Sequence, residues 1–520
     1  MRARYSVYFC RMRNLMAFLR LIPGAEHVGD PDAMIVDVTT DSRLVQPGWA
    51  FVAVKGDDFD GNEAIADAIA SGAVVVVGEG KYEAQPGVVM VTVPNARLAF
   101  ARMVNAYMDE PSRGLRFFGV TGTNGKTTVA TILEQIYKAS GRETAFIGTT
   151  GVRYHDVNID TGFTTPELRT LNELFYTLKK SRIDSVFMEV SSHALHQHRI
   201  EGVAFHGAIF TNLTHDHLDY HGTMEEYALT KKLLFDRLTL DAIAVVNGED
   251  PMAAYMVKDC KARRVITVGE GDTNVIEIDD IVCNTLGISY SMCLPPAKRG
   301  GAPLELHFRS PLIGRFNVIN TALCAAMAIH DGIPHDVVID AIRNITSPSG
   351  RMERYPLING AVAVVDYAHT PDALQNALKV LREILPSGAK LHVVFGCGGA
   401  RDKSKRKDMG RVAAELADRV YITSDNPRTE NPQFIVDCVH EGTVGVTKKG
   451  PGRRGTANIS AIVDRRNAIR KALDTAKPQD IVLIAGKGHE TYQIIGTDRM
   501  SFSDVNEVAA WNADHRKKPL

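Results

Sequence analysis

The chain has 520 residues, 45% hydrophobic and 23% charged, with a formal net charge of -1. That length suits two to four domains, and the balanced charge argues against a global field for nucleic acid or anionic membrane. Seven cysteines, at 10, 260, 283, 293, 324, 397 and 438, never stand in CxxC spacing, which disfavours zinc or disulfide frameworks and suggests reduced thiols in a cytosolic protein.

Residues 1–24 carry Arg2, Arg4, Arg11, Arg13 and Arg20 among apolar residues. These arginines interrupt any secretory core, so the segment reads as a short N-terminal extension, with Met12 or Met16 as alternative starts. No stretch is long and apolar enough to span a bilayer. Residues 25–112 are expected to form a small α/β domain. Its strands are Met34 to Val38, Ala50 to Val54, Ala73 to Val77 and Val88 to Val93, and Asn62 to Ser71 is a helix. The polar turns Asp41-Ser42-Arg43 and Gln46-Pro47-Gly48 suit plain loop chemistry or ligand contact equally well.

Residues 113–346 form a larger α/β domain, organised by Phe118-Gly119-Val120-Thr121-Gly122-Thr123-Asn124-Gly125-Lys126-Thr127-Thr128. An apolar strand, Leu115 to Val120, breaks into a glycine turn, and a helical pattern runs from Thr128 to Tyr137. Strand, glycine turn, lysine and helix start make a phosphate cradle of backbone N–H groups, a cation and the helix dipole. Val120 stands where strict Walker spacing has glycine, so the loop is a variant. Ser185 to Val190 is a second strand with Glu189 near its end, a position suited to holding Mg²⁺ directly or through water. Ala208 to Thr211 precedes His215, Asp216, His217, Asp219 and His221. Zinc is one reading of that cluster, but HExxH and cysteine partners are absent, and a magnesium-associated role beside the phosphate loop fits better. Tyr227 to Leu238 is helical and carries Lys231 and Lys232; Ala242 to Asn247 is a strand, 263–310 alternates like β structure, and Arg315 to Ile329 is a helix.

Proline, glycine and serine cluster at 347–351 and open a third α/β domain, 347–520. Val362 to Asp366, Leu391 to Phe395, Arg419 to Thr423 and Ile481 to Ala485 read as strands, mostly followed by helical patterns, which predicts a largely parallel, doubly wound sheet. The basic stretch 448–455 reads as a solvated flexible loop.

The order of these motifs resembles the Mur ligase superfamily over nearly the whole chain after residue 25. Gly122-Thr123-Asn124-Gly125-Lys126-Thr127-Thr128, Met188-Glu189-Val190-Ser191-Ser192-His193, Asp216-His217-Leu218-Asp219 and Asp366-Tyr367-Ala368-His369-Thr370-Pro371 are similar to its signatures. The resemblance implies three domains: a nucleotide-sugar domain, a central P-loop ATPase domain and a Rossmann-like amino-acid domain. Within the superfamily the chain looks most like members that add the third peptide residue to UDP-N-acetylmuramoyl-L-alanyl-D-glutamate in peptidoglycan precursor synthesis. Asp425-Asn426-Pro427-Arg428 is similar to the signature for meso-2,6-diaminopimelate, whose second carboxylate suits the guanidinium fork of Arg428. Arg401, Gly486 and Glu490 match further contacts to that amino acid. Thr40, Ser42, Thr164, Thr165, Ser191, Gln197 and Arg199 match positions for the nucleotide sugar; Asp57, Asp58 and Phe59 depart from the expected loop. Lys231 matches a lysine carbamylated by CO₂ to make a magnesium ligand.

The resemblance implies ATP-driven amide formation through an acyl phosphate. Lys126, Lys231 and His217 are the expected catalytic residues. Thr127, Glu189, His217 and carbamylated Lys231 would position Mg²⁺, and Asp366 and His369 would line the ATP site with the glycine loop. The expected protein is a cytoplasmic monomer acting on small molecules, without nucleic acid or membrane partners. Two rivals are a folate polyglutamylating relative, against which Asp41-Ser42-Arg43 and Asp425 to Arg428 argue, and a nucleotide-gated switch that hydrolyses ATP without joining substrates.

Overall fold

The computed structural model describes residues 12–56, 59–296, 301–450 and 455–516. The chain divides into two compact units, one ending at Thr267 and the other beginning at Val268. Among the described residues no helix is long and apolar enough to cross a membrane.

In addition to the two-stranded pair Arg13–Asn14 and Met34–Ile35, two main sheets build the first unit. The smaller has the order Glu26–Val28, Val89–Thr92, Ala73–Gly78, Trp49–Val52, Val38–Thr39, parallel except at the first strand. Its runs of valine and alanine are buried on both faces, as continuous apolar strands should be. One face packs on the helix Ala96–Tyr107. The single strand expected over Met34 to Val38 is split. Met34–Ile35 pairs with Arg13–Asn14, while Val36 N–H donates to the Gly48 carbonyl and the Asp37 carboxylate turns to Arg169. The helix expected from Asn62 starts as a 3-10 turn, Gly61–Ala64, capped by Asp60, and continues as Ile65–Ala70.

Residues 12–24 belong to this fold, which differs from the expected extension. Asn14 caps a short helix, Leu15–Leu19, and Leu15, Phe18 and Ile22 enter the core.

The larger sheet of the first unit has Arg116–Thr121 in its middle. Ser185–Glu189 and Phe205–Phe210 lie parallel on either side, followed by Thr144–Gly148 and Ile243–Asn247 outward. A hairpin, Gly151–Tyr154 and Val157–Ile159, extends one edge antiparallel. Central placement buries the loop-bearing strand on both faces, so the glycine turn emerges at the C-terminal edge, where open α/β sheets bind ligands.

The second unit begins with an antiparallel meander, Ile276–Asn284, Gly287–Leu294 and Leu304–Ser310, followed by helices Phe316–His330 and His335–Arg343. A six-stranded sheet follows, in the order Glu353–Pro356, Val362–Asp366, Ile481–Ala485, Leu391–Phe395, Arg419–Ile422, Asn458–Ala461. Only the first strand is antiparallel. Alternate residues feed two cores, Val364, Val393 and Leu483 on one face and Val365, Val394 and Ile484 on the other. This is the doubly wound pattern expected from the sequence.

Candidate active site

The phosphate loop leaves the Arg116–Thr121 strand and enters the helix Lys126–Ala139 with Gly125 as its N-cap at φ 86°. Gly122 has φ 148°, and a Cβ there would overlap the Thr211 hydroxyl and crowd Asn212. Glycine is therefore required by both backbone and space. The loop is pinned from the neighbouring strand end: Thr123 N–H donates to Asn212 O (2.8 Å), Asn124 N–H to Asn212 Oδ1 (3.0 Å), and Thr211 Oγ1 to Asn124 O (2.6 Å). Lys126 Nζ folds over the loop and donates to the carbonyls of Gly122 (2.9 Å) and Thr123 (2.8 Å). Thr127 is buried at the helix start, with Thr128 half-buried beside it.

Lys231 reaches the same loop from the helix Met224–Asp236. Its Nζ donates to the Gly122 carbonyl (2.8 Å) and lies 4.3 Å from the Tyr227 ring centroid. Burial first, then the charge of Lys126, holds its amine well below the ordinary lysine range. Tyr227, whose hydroxyl lies 3.3 Å from Thr123 Oγ1, is pushed up to about 12 by burial.

Histidines surround this point. His217 caps the helix Leu218–His221 in a left-handed conformation, φ 52°. Its ring lies 5.1 Å from that of His193, which lies 5.7 Å from that of His221. His221 bonds Ser192 Oγ through Nε2 (2.9 Å), and burial lowers its pKa to about 4. His193 is also lowered, by burial and by His217. Among the described residues no group of three or more His, Cys, Asp or Glu is arranged to hold a metal ion.

Glu189 ends its strand almost fully buried. Its carboxylate accepts from Thr149 N–H (2.8 Å) and Thr149 Oγ1 (3.2 Å). The expected nucleotide-sugar residues largely converge here. Thr164 Oγ1 lies 3.0 Å from Thr149 Oγ1, and Thr165 Oγ1 donates to Glu189 O (2.7 Å) while accepting from Ser191 N–H (3.1 Å). Arg199 donates to Thr165 O (2.9 Å) and to Gln197 Oε1 through Nε (3.0 Å) and Nη2 (2.6 Å). Thr40 and Ser42 lie in the smaller sheet's loop, Thr40 exposed and Ser42 opening a turn capped by Asp41. That loop is tied to the helix Leu168–Lys180 by Arg169, whose fork meets Asp37 at 2.9 and 2.7 Å and also donates to Val38 O. Asp57 and Asp58 lie outside the described residues, and Phe59 is exposed.

In the second unit, Asp425, Asn426, Pro427 and Arg428 follow the Arg419–Ile422 strand. Lys487, completely buried, donates to Asp425 Oδ1 (3.4 Å), Asn426 Oδ1 (3.0 Å) and Glu490 Oε2 (3.1 Å). Asn426 Nδ2 donates to Glu490 Oε2 (2.9 Å). Gly486, at φ 116°, abuts the Asp425 carboxylate. Arg428 takes a left-handed conformation, φ 50°, and donates from Nη1 to Gly399 O (2.9 Å); Arg401 sits exposed on the same glycine loop. Asp366 accepts from Met352 N–H (2.8 Å) and Ala368 N–H (2.9 Å), with burial raising its pKa, and His369 packs on Tyr367. The described end of the basic loop is ion-paired, Lys448 to Asp418 and Lys449 to Glu415; residues 451–454 lie outside the described residues.

The sequence reading missed Lys487, which a lysine flanked by two glycines signals as a close backbone approach. It also missed the buried pair Arg465–Asp504, whose partners are far apart in sequence.

Three family models match the chain: the Mur ligase family catalytic domain over residues 35–108, the Mur ligase middle domain over 120–328, and the Mur ligase glutamate ligase domain over 350–488. A UDP-N-acetylmuramoyl-L-alanyl-D-glutamate--2,6-diaminopimelate ligase of Chlorobaculum tepidum is 42% identical over 480 residues, 91% of each chain. A ligase of the same name from Bacillus licheniformis is 38% identical over 96% of this chain and 98% of its own. A solved structure of an enzyme of that name superposes with a TM-score of 0.71 at 30% identity, covering 98% of this chain and all of the other.

Proposed function

The chain belongs to the Mur ligase family, and from that premise we propose that it is an ATP-dependent ligase that adds meso-2,6-diaminopimelate to the D-glutamate of UDP-N-acetylmuramoyl-L-alanyl-D-glutamate. The observation that carries this reading is the near full-length likeness to ligases of that name. The product is a peptidoglycan precursor. A cytoplasmic monomer working on small molecules is part of the proposal.

A carboxylate is a poor acylating agent, so the D-glutamate carboxylate first attacks the γ-phosphorus of ATP. The β–γ bridging P–O bond breaks, ADP leaves, and an acyl phosphate remains. The amine of diaminopimelate then attacks the acyl carbon and loses its proton, and phosphate departs as the C–O bond breaks. Lys126 would exchange its two loop carbonyls for phosphate oxygens and offset charge on the transferring phosphoryl group. The backbone N–H groups of Gly122 to Thr128 would receive the polyphosphate, and in the second unit Asp366 and His369 are proposed nucleotide contacts by the family resemblance.

The donor set suits a hard cation. Burial and the charge of Lys126 lower the Lys231 pKa, which favours the neutral amine that adds CO₂, and a carbamate there would supply anionic oxygens beside Lys126. We assign Thr127, Glu189, His217 and carbamylated Lys231 to a Mg²⁺ site, in which oxygen ligands dominate as magnesium prefers. Magnesium supplies charge neutralisation to the phosphates when bound. Thr40, Ser42, Thr164, Thr165, Ser191, Gln197 and Arg199 are the proposed nucleotide-sugar contacts. Arg401, Asp425, Asn426, Pro427, Arg428, Gly486 and Glu490 are the proposed amino-acid contacts, supported by the cluster that Lys487 ties together.

The test is phosphate release with ATP, Mg²⁺ and the UDP-linked dipeptide, with meso-diaminopimelate or lysine added separately, and mass spectrometry of the product. Release requiring the dipeptide and meso-diaminopimelate, with a product heavier by that residue, is the expected result. Turnover with lysine alone would remove the role given to Arg428, and hydrolysis independent of both substrates would favour a nucleotide switch.

A further inference from the structure

Arg465 opens the helix Arg465–Thr475 and is completely buried. A cation in a helix's first turn opposes the helix dipole, so helix stability does not account for it. Its fork meets the equally buried Asp504 with two bonds of 2.7 Å, from Nε to Oδ1 and from Nη2 to Oδ2. Two of the three remaining N–H donors go to main-chain carbonyls: Nη1 to Ser424 O (3.3 Å) and Nη2 to Ala485 O (3.0 Å). Four donor contacts therefore leave one planar group.

Those two carbonyls belong to the residues immediately before Asp425 and before Gly486. Ala485 ends its strand and Ser424 lies two residues beyond Arg419–Ile422; these strands are not neighbours in the sheet, since Leu391–Phe395 runs between them. Across that gap Lys487 meets Asp425 and Asn426, and Asn426 meets Glu490. Beside these side-chain contacts, the guanidinium bridges the main chain at the start of each loop. The Ser424 side is also held by Val463 O, which accepts from Ser424 N–H and Thr423 Oγ1. Lysine has three donors on one point and cannot span the two carbonyls while gripping a carboxylate in a fork.

We propose that Arg465, locked by Asp504, is a positioning residue that sets the separation of the Asp425–Arg428 and Gly486–Glu490 loops, and so the affinity of the amino-acid substrate. The proposal rests on the function given above. Arg465 touches no substrate itself, being sealed beneath the loops. Loop misplacement by about 1 Å is enough to cost up to roughly 100-fold in a positioned reaction.

The test is the double variant Arg465→Met with Asp504→Leu, which removes both charges together, since replacing a buried ion pair by apolar residues of similar size is often tolerated by the fold. Steady-state kinetics are run on full-length protein beside the wild type. The expected result is a KM for meso-diaminopimelate raised at least about tenfold, with the KM values for ATP and the UDP-linked dipeptide unchanged within about twofold. A folded variant with an unchanged amino-acid KM overturns the proposal, as does a uniform change in all three KM values. If the double variant does not fold, Arg465→Lys, which keeps the charge without the fork, is judged by the same criterion. A wild-type protein with no diaminopimelate-dependent turnover sinks the functional reading, whereas an active wild type with an unaltered variant sinks the positioning role alone.

Discussion

Lys231 Nζ donates to the carbonyl of Gly122, the first glycine of the phosphate loop, at 2.8 Å. Burial and Lys126 keep that amine well below the ordinary lysine range, a shift in the direction that the proposed carbamylation requires. Activity is expected to fall in buffer stripped of CO₂ and bicarbonate and to return on their addition. Enzyme in ¹³C-bicarbonate should show a carbamate carbon signal that Lys231→Ala lacks, and that variant should lose at least about 100-fold in kcat, the scale of one lost electrostatic group. Full activity in stripped buffer would leave Lys231 a structural residue.

Gly122→Ala places a methyl against the Thr211 hydroxyl in a backbone conformation that side chains avoid. Strain of about 1–3 kcal/mol is expected at such a position. The loop should relieve it by moving, so titration calorimetry should show ADP binding weakened or lost while circular dichroism stays native. Unaltered nucleotide affinity would mean the loop is not the phosphate cradle.

Arg428 should decide the amino acid. A lost hydrogen bond to a charged group costs about 1.5–3 kcal/mol, roughly 10- to 150-fold. Arg428→Ala should lower kcat/KM for meso-diaminopimelate by that factor and leave any residual turnover of lysine untouched. An equal loss with both amino acids would point to disruption of the Gly399 contact.

His392 is buried, 3.2 Å from Asp480 through Nε2, and burial outweighs that carboxylate to lower its pKa below the usual 6.5. The folded state therefore resists a proton that the unfolded chain accepts. The neutral ring's contribution is present above about 6.5 and lost as pH falls below it. Urea midpoints should drop from pH 7 to 5 more steeply in wild type than in His392→Gln. Parallel slopes would assign the acid sensitivity elsewhere.

Legibility followed chemistry that is local in the chain. Val362–Asp366, Leu391–Phe395 and Ile481–Ala485 have the bounds the sequence suggests, because continuous apolar runs end at turn residues. The helix around Lys231 begins three residues before the expected Tyr227, at Met224, because Thr223 caps it by accepting from Glu226 N–H. A Met-Glu-Glu first turn carries no apolar stripe to announce it. Leu15–Leu19 is too short to show a period, and its flanking arginines disguise a core-forming segment. The phosphate loop is a contiguous motif and lies between the expected strand and helix, and Asp425–Arg428, singled out through the family resemblance, follows the Arg419–Ile422 strand. Arg465 and Asp504 are 39 positions apart; charged residues are ordinarily surface groups, and only the fold shows that these two are interior.

Polar groups of the phosphate loop are paired within the protein. Lys126 already rests on the carbonyls of Gly122 and Thr123, while Thr211 and Asn212 hold the turn from the side. A nucleotide arriving here meets a preorganised cradle and gives up little conformational entropy in ordering it. In return it must displace an ammonium from bonds already made, so nucleotide affinity reflects an exchange of partners and is weaker than a count of phosphate contacts suggests.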